Sequence, residues 1–152
     1  MKYESAFSRN YITEVNIPKV KVIEGQAFYY NEINKLELSE LKTIWNYAFI
    51  YNKLKSVRLA KVEEIWDYAF HWGSHNGLKN NITDLDLWNS IRKIWNNAFE
   101  SNDIYYLTLP ESLLELWIYA FNNNPKINSE KYRIANRSRL SSSTLRSAWI
   151  PQ

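Results

Sequence analysis

Residues 44–59 read Ile-Trp-Asn-Tyr-Ala-Phe-Ile-Tyr-Asn-Lys-Leu-Lys-Ser-Val-Arg-Leu, and this stretch decides the fold because its landmarks recur along the chain. The landmarks are an Ala-Phe pair, an Asn four residues after the Ala, and an apolar triplet at positions x, x+3 and x+5. The first four Ala-Phe pairs follow one another at intervals of 21 residues. The alanines of all six pairs are Ala6, Ala27, Ala48, Ala69, Ala98 and Ala120.

The other landmarks keep the same register, except that an insertion after Phe70 moves the Asn of that copy to Asn80. The apolar triplet, Leu54, Val57 and Leu59 in the quoted copy, ends in an alternation of period two that is typical of a short strand with inward side chains. A second apolar pair, Val62 and Ile65 after that copy, marks another short extended segment. The Asn column consists of Asn10, Asn31, Asn52, Asn102 and Asn124.

A unit of about 21 residues is too short to bury an apolar face by itself, whereas stacked units bury a continuous core. We therefore predict parallel strands in register, with roughly 4.8 Å between neighbouring coils. The Ala is small where the chain turns tightly, and the six Phe side chains should form a spine through the middle of the coils. Asn side chains suit hydrogen bonds to the turn backbone of neighbouring coils.

Outward positions alternate in charge from coil to coil. In-register stacking places such positions side by side, which predicts ion pairs between neighbouring coils and a structural role for these charges. The three columns are Glu37, Arg58 and Asp86; Lys42, Glu63 and Arg92; and Glu64, Lys93 and Glu115.

The repeated unit Ile-x-x-x-Ala-Phe-x-x-Asn-x-Leu-x-x-Val-x-Leu, read from Ile44 to Leu59, resembles the BspA-type leucine-rich repeat. The resemblance extends over about residues 6–127. It implies a curved right-handed solenoid without catalytic residues. It also implies roles in adhesion and in binding proteins or matrix, at a cell surface or in secreted form.

One position departs from the family pattern, which usually has Gly directly after the Ile that precedes the Ala-Phe pair (Ile-Gly-x-x-Ala-Phe). Four of the five copies here have Trp in that slot, and a partly aromatic column follows two residues later. The Trp column consists of Trp45, Trp66, Trp95 and Trp117. The first of the five copies has Glu24 at the same position. The second column consists of Tyr47, Tyr68, Asn97 and Tyr119.

Three interpretations of the Trp column remain open at the level of the sequence. A row of large aromatic side chains suits the binding of a protein or of the apolar face of a sugar. The row can equally have a structural role, in which the stacked rings shield the edge of the coils from solvent. The third interpretation is a coding one, in which UGA codons meant for Gly are written as Trp. The chain has 3 Gly and 7 Trp, whereas average usage predicts about 11 Gly.

Residues 71–79 form the only long insertion between repeats and contain both histidines of the chain. Loops on rigid scaffolds often carry binding residues, and His71, Trp72 and His75 are the candidates here. Insertions in repeat proteins are also tolerated without a function. A metal site on the two histidines needs further ligands, and Asp67 is the only carboxylate that lies nearby in the sequence.

Composition and motifs argue against several classes of protein. The chain has no Cys, which excludes disulfides, thiol nucleophiles and thiolate metal sites. It has no Gly-rich phosphate loop and no catalytic motif, so we predict neither an enzyme nor a cofactor. The first residues lack an apolar run, and no segment approaches the ~20 apolar residues of a membrane helix. We therefore expect no signal peptide and no membrane insertion.

The end of the chain departs from the repeat. Tyr132 and Ile134 are expected to form a last strand over the open end of the core. We assign residues 1–134 to the solenoid with its terminal caps and residues 135–152 to a basic, Ser-rich segment that forms a tail or a short cap. The basic residues near this end are Lys126, Lys131, Arg133, Arg137, Arg139 and Arg146.

These observations predict a β-rich repeat solenoid of the leucine-rich-repeat type, with short parallel strands and single helical or 3-10 turns. The function that this fold favours is non-catalytic binding of a protein, or of a glycan, in adhesion or host interaction. One alternative is a small intracellular inhibitor or regulator from a mobile element. Another is association with nucleic acid through the basic end. Uncapped solenoid ends also permit oligomers.

Overall fold

The computed structural model describes residues 5–73, 75–128, 130–135, 138 and 140–148, and this part of the chain is a stack of coils with short parallel strands. The predicted fold class is confirmed. The strands are β1 (Glu14–Asn16), β2 (Val22–Ile23), β3 (Lys35–Glu37), β4 (Thr43–Ile44), β5 (Ser56–Leu59), β6 (Glu64–Ile65), β7 (Asp84–Leu87), β8 (Lys93–Ile94), β9 (Leu107–Leu109), β10 (Glu115–Leu116) and β11 (Tyr132–Ile134), and the helix is α1 (Ser142–Ser147).

The second apolar pair of each repeat forms one continuous sheet. Strands β2, β4, β6, β8 and β10 pair in parallel in that order, and each strand pairs with the strand one coil away. The register joins equivalent positions, so Ile44 lies between Ile23 and Ile65. The apolar triplets form the other strands, which pair as β1 with β3, β5 with β7 and β9 with β11. The predicted last strand at Tyr132 and Ile134 is therefore confirmed.

The Phe spine runs through the core between these two sets of strands. Neighbouring rings, from Phe7 to Phe121, stack with centroids 5.2–5.5 Å apart and interplanar angles of 3–11°. The four rings from Phe49 onward are fully buried, whereas Phe7 at the first coil is 51% exposed. The alanines that precede the buried rings are themselves buried, because each turn lies directly against the next.

A buried ladder of asparagine side chains joins the coils, as the sequence predicts, except at Asn10. The amide of Asn10 is exposed in the first coil and donates to the Ser8 carbonyl oxygen (3.0 Å). Asn52 accepts a hydrogen bond from the Ile33 backbone N–H (3.0 Å) and donates to the carbonyl oxygens of Phe28 (2.9 Å) and Phe49 (3.0 Å). Each Asn thus satisfies backbone groups of its own coil and of the preceding coil. The pattern repeats at Asn31, Asn80, Asn102 and Asn124.

The turn at the Ala-Phe pair contains two residues in the left-handed region, one directly before the Ala and one three residues after it, except in the Ala69 copy, where only Tyr68 of the two has a positive φ. In the copy around Ala48 these residues are Tyr47 (φ 59°) and Tyr51 (φ 57°). The intervening chain closes turns through bonds between residues three apart, such as that from the Ala48 N–H to the Trp45 carbonyl (3.3 Å). Turn amides also donate to the next coil, so the turns stack in register like the strands.

Ion pairs between coils follow the predicted charge columns in part. Lys42 pairs with Glu63 (2.7 Å), and Lys93 pairs with Glu115 (3.0 Å). The first column differs, because Glu37 pairs with Lys35 of its own strand (3.1 Å) and Asp86 accepts a bond from the Trp88 indole N–H (2.9 Å). These pairs are solvent-exposed and contribute little to stability.

The segment after β11 covers the last coil. Ser141 caps α1 by accepting a bond from the Thr144 N–H, and Leu140, Leu145 and Ala148 are buried within the core. The Phe121 N–H donates to the Ala148 carbonyl oxygen (3.1 Å), so this segment continues the backbone bonding of the turns. Within the described ranges, no helix is long and apolar enough to cross a membrane.

Replacing the buried amide should expose the dependence of the stack on the Asn ladder. We expect Asn52→Leu to lower the free energy of unfolding by roughly 2–4 kcal/mol, because it leaves buried backbone groups without partners. Asn52→Asp should be similarly destabilising, since a carboxylate cannot donate to the two carbonyl oxygens. Urea unfolding measures both effects. The exposed Asn34→Leu serves as control, and equal stability of all the variants would contradict a structural role for the ladder.

Candidate functional site

The four tryptophans of the column form a continuous stack beside the five-stranded sheet. Each follows a strand whose last residue points inward, so side-chain alternation directs the Trp outward. The Trp45–Trp66, Trp66–Trp95 and Trp95–Trp117 ring centroids are 4.5, 4.6 and 4.8 Å apart, with interplanar angles of 15°, 11° and 8°. Trp117 is 41% exposed, and the other three are half-buried. The coil spacing therefore produces a ridge of ring edges.

The backbone at the Trp column accepts a side chain. None of the four Trp residues has a positive φ, so the main chain does not require Gly there. The indole N–H groups of Trp66 and Trp95 are nevertheless buried, and among the described residues neither has a hydrogen-bond partner. An unpaired buried donor costs about 1–3 kcal/mol, which offsets part of the stabilisation from stacking.

The second column has a different local backbone. Tyr47, Tyr68, Asn97 and Tyr119 all lie in the left-handed region. Tyr47 and Tyr68 stack with centroids 5.2 Å apart. Burial and the neighbouring Tyr47 raise the pKa of Tyr68. This column is therefore continuous over two coils and then changes from aromatic to amide.

His71 lies beside Tyr68 rather than beside the other histidine. Its ring meets the Tyr68 ring edge-on at 5.4 Å, and its Nδ1 lies 3.5 Å from Glu100 Oε2. Glu100 also accepts bonds from the side-chain amides of Asn97 (2.6 Å) and Asn122 (2.7 Å). Burial lowers the pKa of His71, and Glu100 partly opposes this shift. Asp67, the carboxylate nearest in the sequence, instead accepts bonds from Asn96.

The insertion folds back over the preceding coils and places His75 there. The His75 ring lies 5.5 Å from the Tyr30 ring and 5.8 Å from the Tyr51 ring, and the Asn76 amide donates to the Tyr30 hydroxyl (3.1 Å). A Cβ at Gly73 would lie 2.6 Å from the Tyr51 ring, so this close approach requires Gly. Trp72 remains near the base of the loop, where Lys79 Nζ lies 5.6 Å from its ring centroid.

The predicted site residues therefore fall into separate groups. The Trp column is one group, Tyr68 and His71 meet beside Glu100, and His75 joins a tyrosine cluster that the sequence argument missed. That cluster combines Tyr29, Tyr30 and Tyr51 with Arg9, and its signal was a Tyr in neighbouring turn slots of successive copies. Among the described residues, no three His, Asp or Glu side chains are placed to hold a metal ion.

Comparison with known families agrees with this geometry. A profile of the BspA-type leucine-rich repeat region matches residues 3–128 in six copies. The chain belongs to the BspA-type leucine-rich repeat family. Leucine-rich repeats of this family are generally non-catalytic scaffolds that bind other proteins. Searches of curated proteins and of solved structures found no match.

Truncation of a central Trp tests whether the stack stabilises this BspA-type repeat. We expect Trp66→Gly to lower the free energy of unfolding by roughly 2–3 kcal/mol, because it removes two ring contacts and adds backbone freedom. Trp66→Phe, which keeps an aromatic ring without the unpaired N–H, should lose less. Trp88→Gly, at a 54% exposed turn residue, is the control. If the free energy of unfolding stays constant or rises in Trp66→Gly, the result would instead support the interpretation that these Trp codons are meant for Gly.

Burial of His71 makes the stability of the chain depend on pH. Because its pKa in the folded state lies below the ordinary value of 6.5, the unfolded chain binds more protons just below that pH. We therefore expect the free energy of unfolding to fall as the pH is lowered from 7.5 to 5.5. His71→Asn should flatten this dependence, whereas the exposed His75→Asn should not. If the free energy of unfolding changes with pH equally in both variants, His71 is not the source of the pH dependence.

Proposed function

We propose that this BspA-type repeat module binds a protein partner through the Trp column, Trp45, Trp66, Trp95 and Trp117. The observation that carries the proposal is the continuous stack of four parallel rings at 4.5–4.8 Å, with Trp117 41% exposed. Stacked rings are held by the coil spacing, so little side-chain entropy is lost when a partner covers them. Large aromatic residues are also the side chains that most often dominate binding energy.

The form of the column favours an extended partner surface over a small ligand. The indole rings face one another, so a partner reaches their edges along a ridge rather than entering a pocket. Polar groups flank the ridge, since Glu115 lies within 3.4 Å of the Trp117 indole nitrogen and pairs with Lys93. An apolar ridge with a charged margin resembles the arrangement of a protein interface. We further propose that this binding serves adhesion or host interaction at a cell surface.

The basic residues near the end of the chain give less support to nucleic-acid binding. Lys126 pairs with Asp103 (3.1 Å), and Lys131 Nζ lies 3.8 Å from the Tyr105 ring centroid. Arg133 and Arg146 are exposed, and Arg137 and Arg139 lie outside the described residues. Two of the four described cations are therefore engaged within the chain, and the described residues alone form no continuous basic stripe.

A capture experiment with matched variants tests the protein-binding proposal. The immobilised parent chain is compared with Trp45→Phe/Trp66→Phe/Trp95→Phe/Trp117→Ala, which alters the ridge while preserving three rings, and with the four-fold Ala variant. Extracellular-matrix proteins and a cell lysate are the two sources, and bound proteins are identified by mass spectrometry. We expect the four-fold Ala variant to lose a partner that the parent retains, with the Phe-containing variant intermediate.

The control is Trp88→Ala, which removes an exposed Trp outside the column. All variants are first shown to unfold cooperatively, so that loss of capture reflects the surface. Capture of the same proteins by the parent and the folded four-fold variant would contradict the proposal. Loss of capture in Trp88→Ala as well would indicate nonspecific adsorption to tryptophan.

A further inference from the structure

The turns of the first three coils enclose a groove of about 440 Å³ that no residue of the Trp column lines. This volume lies within the range of small-ligand sites, about 300–1,000 Å³. We call it the tyrosine groove after the side chains that dominate its walls. It is lined by Ser8, Arg9, Gln26, Tyr29, Tyr47 and Tyr51, among others.

Contacts among its aromatic residues hold the groove in shape. The Tyr29 and Tyr51 rings meet edge-on with centroids 5.5 Å apart, and Tyr47 is held by stacking on Tyr68. The Arg9 guanidinium carbon lies 5.6 Å from the Tyr29 ring centroid and 5.9 Å from that of Tyr30. Cation–π contacts of this kind orient the guanidinium without using its N–H donors.

Of the described residues that line the groove, Arg9 is the only charged one. Among the described residues, no carboxylate lies within ion-pair distance of it. The neighbouring groove, of about 300 Å³, differs because its Glu32 and Lys53 pair with each other (2.8 Å). Within the described part of the chain, the tyrosine groove therefore presents a positive charge without an acidic partner between aromatic walls, which complements a ligand with one negative charge.

Two of the wall tyrosines occupy backbone positions that do not favour tyrosine. Tyr47 and Tyr51 have φ values of 59° and 57°, in the region where Asn is the best-tolerated side chain after Gly. Of the later copies, two keep Tyr in the Tyr47 slot, at Tyr68 and Tyr119, whereas Asn97 in that slot and Asn123 in the Tyr51 slot are amides. Left-handed residues recur in the turns of all the coils, so these φ values belong to the repeat. They make Asn the substitution that the backbone tolerates best at the groove.

We propose that the tyrosine groove binds a carboxylate-bearing sugar. The proposal is independent of protein binding by the Trp column, since the two sites share no residue. Tyrosine rings offer flat apolar faces to the C–H groups of a sugar ring, and the fork of the Arg9 guanidinium matches a carboxylate. The Gln26 side chain and the Ser8 hydroxyl supply hydrogen-bonding groups for sugar hydroxyls.

Titration with a charged and a neutral saccharide tests the proposal. The probes are 3′-sialyllactose, which carries a carboxylate, and lactose, which does not, and binding to the intact chain is followed by NMR chemical shifts. We expect sialyllactose to bind with a Kd of roughly 1 mM or below. Lactose should bind at least ~10-fold more weakly, because it leaves Arg9 without a charged partner.

Three variants assign the binding to the groove. Arg9→Gln should reduce the affinity for sialyllactose to that for lactose. Tyr47→Asn should lower the affinity at least ~10-fold while keeping cooperative unfolding, because Asn suits the left-handed backbone. Tyr119→Asn changes the same slot in a distant coil (φ 59°) and should bind as the parent does.

The outcomes separate clearly. Equal affinity for the two saccharides, or retention of sialyllactose binding by folded Tyr47→Asn, would overturn the proposal. Absence of saturable binding up to ~30 mM sialyllactose, well above the expected ~1 mM, would also overturn it. None of these three results bears on the capture of a protein by the Trp column, so the two proposals fail separately.

Discussion

The structure depends on one constraint, which is that a coil of about 21 residues buries backbone groups that it cannot satisfy alone. The asparagine ladder meets this constraint, since each buried amide bonds to carbonyl oxygens of two successive coils and accepts a bond from a third backbone group. Because the amide must reach the preceding coil, it sets the register of the stack. The strands, the turns and the Phe spine then repeat at the same spacing.

Strict register has a consequence for the surface. Any slot that repeats in the sequence becomes a column, so a Trp in four successive copies necessarily becomes a stack of four rings. The same rule brings Tyr47 onto Tyr68 and Lys42 onto Glu63. A repeat scaffold therefore builds binding surfaces by repetition, and a single substitution interrupts them locally, as Asn97 does in the tyrosine column.

The insertion, residues 71–79, does not follow the register of the repeat. Residues after Trp72 leave the stack and return across the turns of earlier coils, where His75 meets Tyr30 and Tyr51. Gly73 permits the close approach to the Tyr51 ring. The loop thus adds a contact that no neighbouring copy can provide, and it borders the tyrosine cluster whose other side forms the groove around Arg9.

The sequence by itself determined the repeat, the two strand segments of each coil, the Phe spine, the Asn ladder and the Trp column, because each is a periodic property that in-register stacking converts directly into contacts. Tertiary structure alone decided that His71 lies beside Glu100 rather than Asp67, that His75 reaches Tyr30, and that Arg9 stands between tyrosines without an ion pair among the described residues. These contacts join positions that share no repeat register. Their geometry depends on the path of the insertion and on side-chain rotamers, which periodicity does not encode.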